Sequence, residues 1–152
     1  GLDWIGFRYF NIFGPKQNPD NTYAAVIPIF CKAFLEDGEI TINGDGETSR
    51  DFTYVANAVL LNELGLFTYN KAALNQVYNG ACGDQISLND MVGMLEGISD
   101  KQVKVTYGPE RPGDVKHSKA NIGKAEQLLG YAPKVRFKEG LKEVYNWYQT
   151  KY

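Results

Sequence analysis

The 152-residue chain reads as a single α/β domain, and three observations predict it. Strand-like and helix-like segments alternate along the chain, the pattern of α/β and mixed folds. Hydrophobic residues make up 43% of it and aromatic residues 13%, enough for a real core at this length. Polar, glycine-containing loops separate the patterned segments, and few strands are available. That economy suits part of a domain plus a small lobe better than a complete doubly wound sheet.

In chain order, "DWIGFRYFNIFG" at 3–14 is rich in aromatic and β-branched residues and predicts one strand running into a loop at Gly14-Pro15. "NPDN" at 18–21 is turn chemistry. "AAVIPIFCKAFLEDG" has apolar residues at helical spacing, with Gly38 as the stop. "EITING" alternates as a short strand, and "GDGETSRDF" reads as a loop. "YVANAVLLNELGLFTY" predicts a long helix and "NQVYNGAC" a second buried strand. "SLNDMVGMLEGIS" opens with Ser87 as helix N-cap and Asp90 three residues on, close to a capping box. "QVKVTYG" predicts a strand, and "NIGKAEQLLGY" and "KEGLKEVYNWYQTKY" two amphipathic helices.

Net charge is −2, so no basic surplus points to nucleic acid or to an anionic membrane. Apolar runs such as "AAVIPIF" are far too short to span a bilayer. Cys31 and Cys82 are isolated and lack metal-ligand spacing, which predicts a reduced, cytoplasmic setting and no metal. The chain enters a strand almost at once without an initiator Met, so a piece of a longer protein is expected.

Three polar loops can carry chemistry: "RYFN" at 8–11, "INGDGETSRDF" at 42–52 and "RPGDVKHS" at 111–118. Arg50 and Arg111 can each grip a phosphate with a planar fork, and nearby glycines let backbone approach a ligand. Asp114 can accept hydrogen bonds from a ribose diol, and Asn11 can serve a phosphate or sugar hydroxyl. Taken singly, each arginine reads equally as a solvated surface residue, and Asn11 as a strand-end cap. His117 reads as a surface residue and Asp45 and Glu47 as turn residues. Tyr9, Phe10 and Phe13 read as core.

The order of the pieces says more. "RYFNIFGP", "YAAVIP", "INGDGETSRDFTYV", "RPGDVKHS" and "KAEQLLGYAPKVRFKEGLKEVYNWY" follow one another across nearly the whole chain. Together they resemble the C-terminal, substrate-binding half of the extended short-chain dehydrogenases that act on nucleotide sugars. The likeness is greatest to the UDP-N-acetylglucosamine and UDP-glucose 4-epimerases. The resemblance implies a substrate-binding lobe with remnant strands of a Rossmann sheet, spanning 1–152 as one unit. It also implies a NAD-dependent parent that oxidises the sugar at C4 and returns the hydride to the other face. Such parents are cytoplasmic homodimers of polysaccharide pathways, with a UDP-sugar as partner.

Parts of that family's equipment are missing. Neither Gly-x-Gly-x-x-Gly nor Gly-x-x-Gly-x-x-Gly occurs, and no Tyr has a Lys four positions later. The chain alone is therefore expected to be inactive, with NAD held mainly elsewhere. By the resemblance, Phe10 sits near the nicotinamide. Asn11, Ala25, Val26, Asn43, Arg50, Arg111, Asp114 and Ser118 contact the UDP-sugar, with Asp114 on the ribose. Thr41 stands where relatives often carry an aromatic that stacks on uracil. Ala56 stands where relatives have Asp, and Asn57 is expected to take over the helix cap. Ser118 replaces the bulky residue of glucose/galactose enzymes, leaving room for an N-acetyl group. UDP-GlcNAc and UDP-GalNAc are favoured on that ground. The apolar strands "WIGFRYFNIF" and "QVYNGAC" are expected to leave open edges. Related dehydratases, decarboxylases and a non-catalytic binding module share the same plan.

Overall fold

The computed structural model describes residues 1–20 and 25–151. Asn21 of the "NPDN" turn and Ala24 of the first helical pattern lie outside these residues. The elements in order are β1 (Ile5–Tyr9), β2 (Ile12–Phe13), α1 (Val26–Leu35), β3 (Glu39–Asn43), β4 (Ser49–Arg50), β5 (Thr53–Tyr54) and α2 (Val55–Leu66). A 3-10 turn (Lys71–Ala73) leads to β6 (Gln76–Gly80), β7 (Ile86–Ser87), α3 (Leu88–Ser99), β8 (Lys104–Gly108), α4 (Gly123–Leu129) and α5 (Phe137–Gln149). Among the described residues the strands form four pairs. β1–β6, β2–β5 and β3–β8 are parallel, and β4–β7 is antiparallel. Parallel neighbours need crossovers, and the intervening helices supply them.

Two apolar clusters hold the layers together. In the larger, Phe34 and Cys31 of α1 meet Ile40 and Ile42 of β3, Leu95 of α3, and Leu141, Val144 and Tyr148 of α5. In the smaller, Leu61 of α2 and Tyr78 of β6 meet Ala125, Leu129 and Tyr131. Pro28 is tolerated in α1 because it lies in the first turn, where its missing N–H would have no helical partner. α1 ends as expected near Gly38, but the left-handed residue is Asp37, at φ 51°. The Ser87–Asp90 capping box forms in full.

The expected first strand is in fact two. Asn11 adopts φ 38° and breaks it. Asn enters this region more readily than most residues, and here its amide is held by a distant partner, Nδ2 donating to the Asp51 carbonyl at 3.0 Å. The break lets the chain change partners, from β6 to β5. Tyr9, expected in the core, is 46% exposed; its hydroxyl accepts from Asn62 Nδ2 at 2.7 Å. Leu2 and Trp4 beside β1 are also exposed, as are Leu66, Phe67 and Tyr69 at the end of α2. "GDGETSRDF", expected as a loop, contains β4. Asn57 does not cap α2. The N-cap is Tyr54, without a side-chain bond. Asn57 is instead buried, accepting from the N–H groups of Lys134 and Val135 at 2.9 and 3.1 Å and donating to the Val135 carbonyl at 2.7 Å. No helix among the described residues is long and apolar enough to cross a membrane.

Between β4 and β5 lies Asp51, fully buried. Its carboxylate accepts from the N–H of Cys82 and of Gly83, each at 3.0 Å, and of Ala120 at 3.2 Å. Burial pushes its carboxyl above the ordinary carboxylate range, while the N–H groups of Cys82, Ala120 and Gly83 pull it back.

Replacing Asp51 by Ala orphans three N–H donors, of which those of Cys82 and Ala120 are buried and cost about 1–3 kcal/mol each. We expect the unfolding free energy to fall by about 3 kcal/mol in chemical denaturation, and Asp51→Asn to recover little, since its amide N–H2 would face donors. Asn57→Ala should cost about 2 kcal/mol in the same assay by freeing the 134–135 backbone.

Candidate functional site

A cavity of about 370 Å³ opens between the start of α1, β3, β4 and the 111–114 loop. Eight of the residues singled out in the sequence line it: Asn11, Ala25, Val26, Thr41, Asn43, Arg50, Arg111 and Asp114. Two others do not. Phe10 is half-buried at the end of β1, its N–H bonded to the Gly80 carbonyl at 3.0 Å. Ser118 lies at the edge of β4, its N–H bonded to the Ser49 carbonyl at 3.1 Å.

Each polar side chain is placed by its element. The break at Asn11 carries that residue to the wall. β3 delivers Thr41 and Asn43 at alternate positions, as strand periodicity requires. Arg111, Pro112, Gly113 and Asp114 form a tight turn, closed by the Asp114 N–H on the Arg111 carbonyl at 3.2 Å. Pro at its second position and Gly at its third, with φ 81°, are the residues a type II turn demands. The turn therefore presents Arg111 and Asp114 from its two ends.

The two guanidinium groups have unlike partners. Arg50 Nη2 is ion-paired with Asp114 Oδ1, and Arg50 Nη1 donates to the Ser49 carbonyl at 2.9 Å. Arg111 meets a neutral group. The Asn43 amide, turned with its oxygen toward the guanidinium, accepts from Nε at 3.0 Å and from Nη2 at 3.2 Å. The loop bearing Arg111 and Asp114 is tied down further along. Ser49 N–H donates to the Lys116 carbonyl at 2.9 Å, and Ser49 Oγ lies 2.8 Å from His117 Nδ1. Lys116 Nζ reaches Asp45 at 3.2 Å. The Glu47 N–H, and then Lys116, hold the Asp45 carboxyl below its usual range. Asp45 and Glu47 thus form the expected turn. His117 is exposed as expected, but it is also a bridge.

Sequence reasoning missed the apolar lining. Ile29 and Phe30 share the cavity with Val26, and the helical period of three and four would have found them. Thr48 and Leu88 had no comparable signal. The lining, among the described residues, holds no His, Cys or Tyr. Such a site can hold a polyanion joined to an apolar or planar body, with Arg50 and Arg111 on the charge and α1 against the body. Nothing in it resembles a nucleophile with its base.

The family model described as GDP-mannose 4,6-dehydratase matches residues 1–144. A UDP-glucuronate 4-epimerase of Thermodesulfobacterium geofontis is 35% identical over 148 residues, 97% of this chain and 43% of that protein. The solved UDP-glucose 4-epimerase of Thermotoga maritima, bound to UDP-glucose, superposes with TM-score 0.90 at 34% identity, over 99% of this chain and 47% of that one. The UDP-N-acetylglucosamine 4-epimerase of Methanobrevibacter ruminantium, in complex with UDP-N-acetylmuramic acid, does so with TM-score 0.90 at 37% identity and the same coverage. The chain spans about half the length of the curated relatives it matches. It belongs to the GDP-mannose 4,6-dehydratase family, and its fold is the C-terminal lobe of the extended short-chain dehydrogenases that include the UDP-sugar 4-epimerases.

Proposed function

We propose that this chain is the nucleotide-sugar-binding part of a NAD-dependent UDP-sugar 4-epimerase. The observation that carries the reading is the convergence of Arg50, Arg111, Asp114, Asn11 and Asn43 on one cavity with an apolar wall. Arg50 and Arg111 take the diphosphate, Asp114 the ribose, and Val26 and Asn43 flank the uracil. Thr41 offers a hydroxyl, 3.3 Å from that of Thr106, where an aromatic would stack. The residues present do not make a NAD site. Phe10 supplies one apolar contact, and the chain has neither a glycine-rich turn nor a Tyr-x-x-x-Lys pair. The chain by itself is accordingly inactive. Ser118 lies outside the cavity wall, beside β4, and on this reading it favours UDP-GlcNAc and UDP-GalNAc where the sugar extends past that wall. A second reading, a nucleotide-sugar 4,6-dehydratase, is supported by the description of the matched family; it shares the binding site and differs in the chemistry.

Titration of the protein with UDP, UDP-glucose and UDP-GlcNAc, followed by backbone amide NMR, tests the site. Shifts should gather at Asn43, Arg50, Arg111 and Asp114 with all three ligands. Shifts scattered elsewhere would sink the reading. Arg111→Ala should weaken UDP about tenfold or more, the scale of hydrogen bonds to a charged group. Ser118→Tyr should lower affinity for UDP-GlcNAc relative to UDP-glucose, because a bulky ring takes the volume of the N-acetyl group. Equal loss of both ligands would remove Ser118 from the sugar pocket.

A further inference from the structure

The Arg50–Asp114 pair joins two side chains assigned to different parts of one ligand, phosphate and ribose. Both cannot serve the ligand while they serve each other. The two halves of the pair are not equally free to move. Arg50 is held by the Ser49 carbonyl at 2.9 Å and the Lys116 carbonyl at 3.5 Å, and its side chain is 21% exposed. Asp114 is 46% exposed. It ends a turn whose Gly113 has open space where a Cβ would stand, with nothing within 4 Å. Opening the pair therefore moves Asp114 and leaves Arg50 in place. Arg111, at the other end of the same turn, meets the neutral Asn43 amide and keeps its full charge toward the cavity.

We propose that Asp114 determines which diphosphates the site accepts, by occupying Arg50 until a ligand brings hydroxyl groups to receive the displaced carboxylate. The proposal rests on the nucleotide-sugar reading. A bare diphosphate meets Arg111 freely but must compete with a carboxylate for Arg50, and it leaves that carboxylate beside its own negative charge. Like charges in contact repel, most of all where water is partly excluded. A ribose diphosphate offers two O–H donors to the same carboxylate, so the displaced anion gains hydrogen bonds as the phosphate takes Arg50. One side chain thus disfavours inorganic pyrophosphate relative to a nucleotide.

Isothermal titration calorimetry with inorganic pyrophosphate, UDP and 2′,3′-dideoxy-UDP distinguishes this from a simple ribose contact. Asp114→Asn should bind pyrophosphate about threefold more tightly than the unaltered protein, the scale of an exposed ion pair removed. It should bind UDP about tenfold more weakly, the scale of charge-assisted bonds lost. Dideoxy-UDP should follow pyrophosphate, not UDP. Glu110→Gln removes the same charge beside Arg111 without touching Arg50, and should leave the preference for UDP over pyrophosphate unchanged. Both positions are exposed, so either variant keeps the fold. If Asp114→Asn moves pyrophosphate and UDP in the same direction, or leaves pyrophosphate as weak as before, Asp114 is no filter although the nucleotide site stands. A matching gain in pyrophosphate binding by Glu110→Gln would also rule out the filter, since net charge alone would then explain it. If the unaltered protein binds neither UDP nor pyrophosphate, the nucleotide-sugar reading fails and the proposal falls with it.

Discussion

A single buried carboxylate organises the loops around the cavity. Asp51 gathers N–H groups from two distant places in the chain, residues 82–83 and residue 120. Its own carbonyl receives the Asn11 side chain. Arg50 is its immediate neighbour, and Ser49, one residue earlier, carries the 116–118 backbone. The segments that carry Asn11, Arg50 and the 116–120 backbone are therefore set relative to one fixed point. An apolar residue there could not accept the three donors, and the buried N–H groups of Cys82 and Ala120 would be left unpaired.

Much of the fold could be read from the sequence because its signals are local. The Ser87–Asp90 box, the helical spacing of α1 and α5, and the alternation of β3 each lie within a few residues. The failures share a cause. Asn57 looks like a cap by type and position, yet its amide is claimed by a backbone segment near residue 135. Asp51 looks like an ordinary loop acid, yet it is more buried than most of the apolar core. The strand break at Asn11 likewise follows from a partner forty residues away. Distant backbone groups leave no periodic trace, so side chains that answer to them read as something else.

The candidate site was legible by another route. Its residue types alone supported a solvated loop as well as a ligand site. Their order across the chain supported a nucleotide-sugar lobe. The structure adds what neither could: the unlike electrostatic states of Arg50 and Arg111. One is neutralised by a carboxylate and the other faces an amide. Two residues of one type, each at a cavity wall, are thereby chemically distinct.

The parallel pairing has a further consequence, for the order of folding. β3 and β8 meet through residues such as Thr41 and Thr106, 65 positions apart, and β1 must wait for β6 in the same way. Parallel partners cannot be joined by a short hairpin, and long closures lose chain entropy before contacts repay it. Proteins dominated by such distant contacts fold slowly and as a unit. The cavity has walls from β2 to the 111–114 turn, so it takes shape only when most of the chain has been threaded into place. A partly folded chain has no half-formed cavity to offer, and the cavity arrives together with the finished fold.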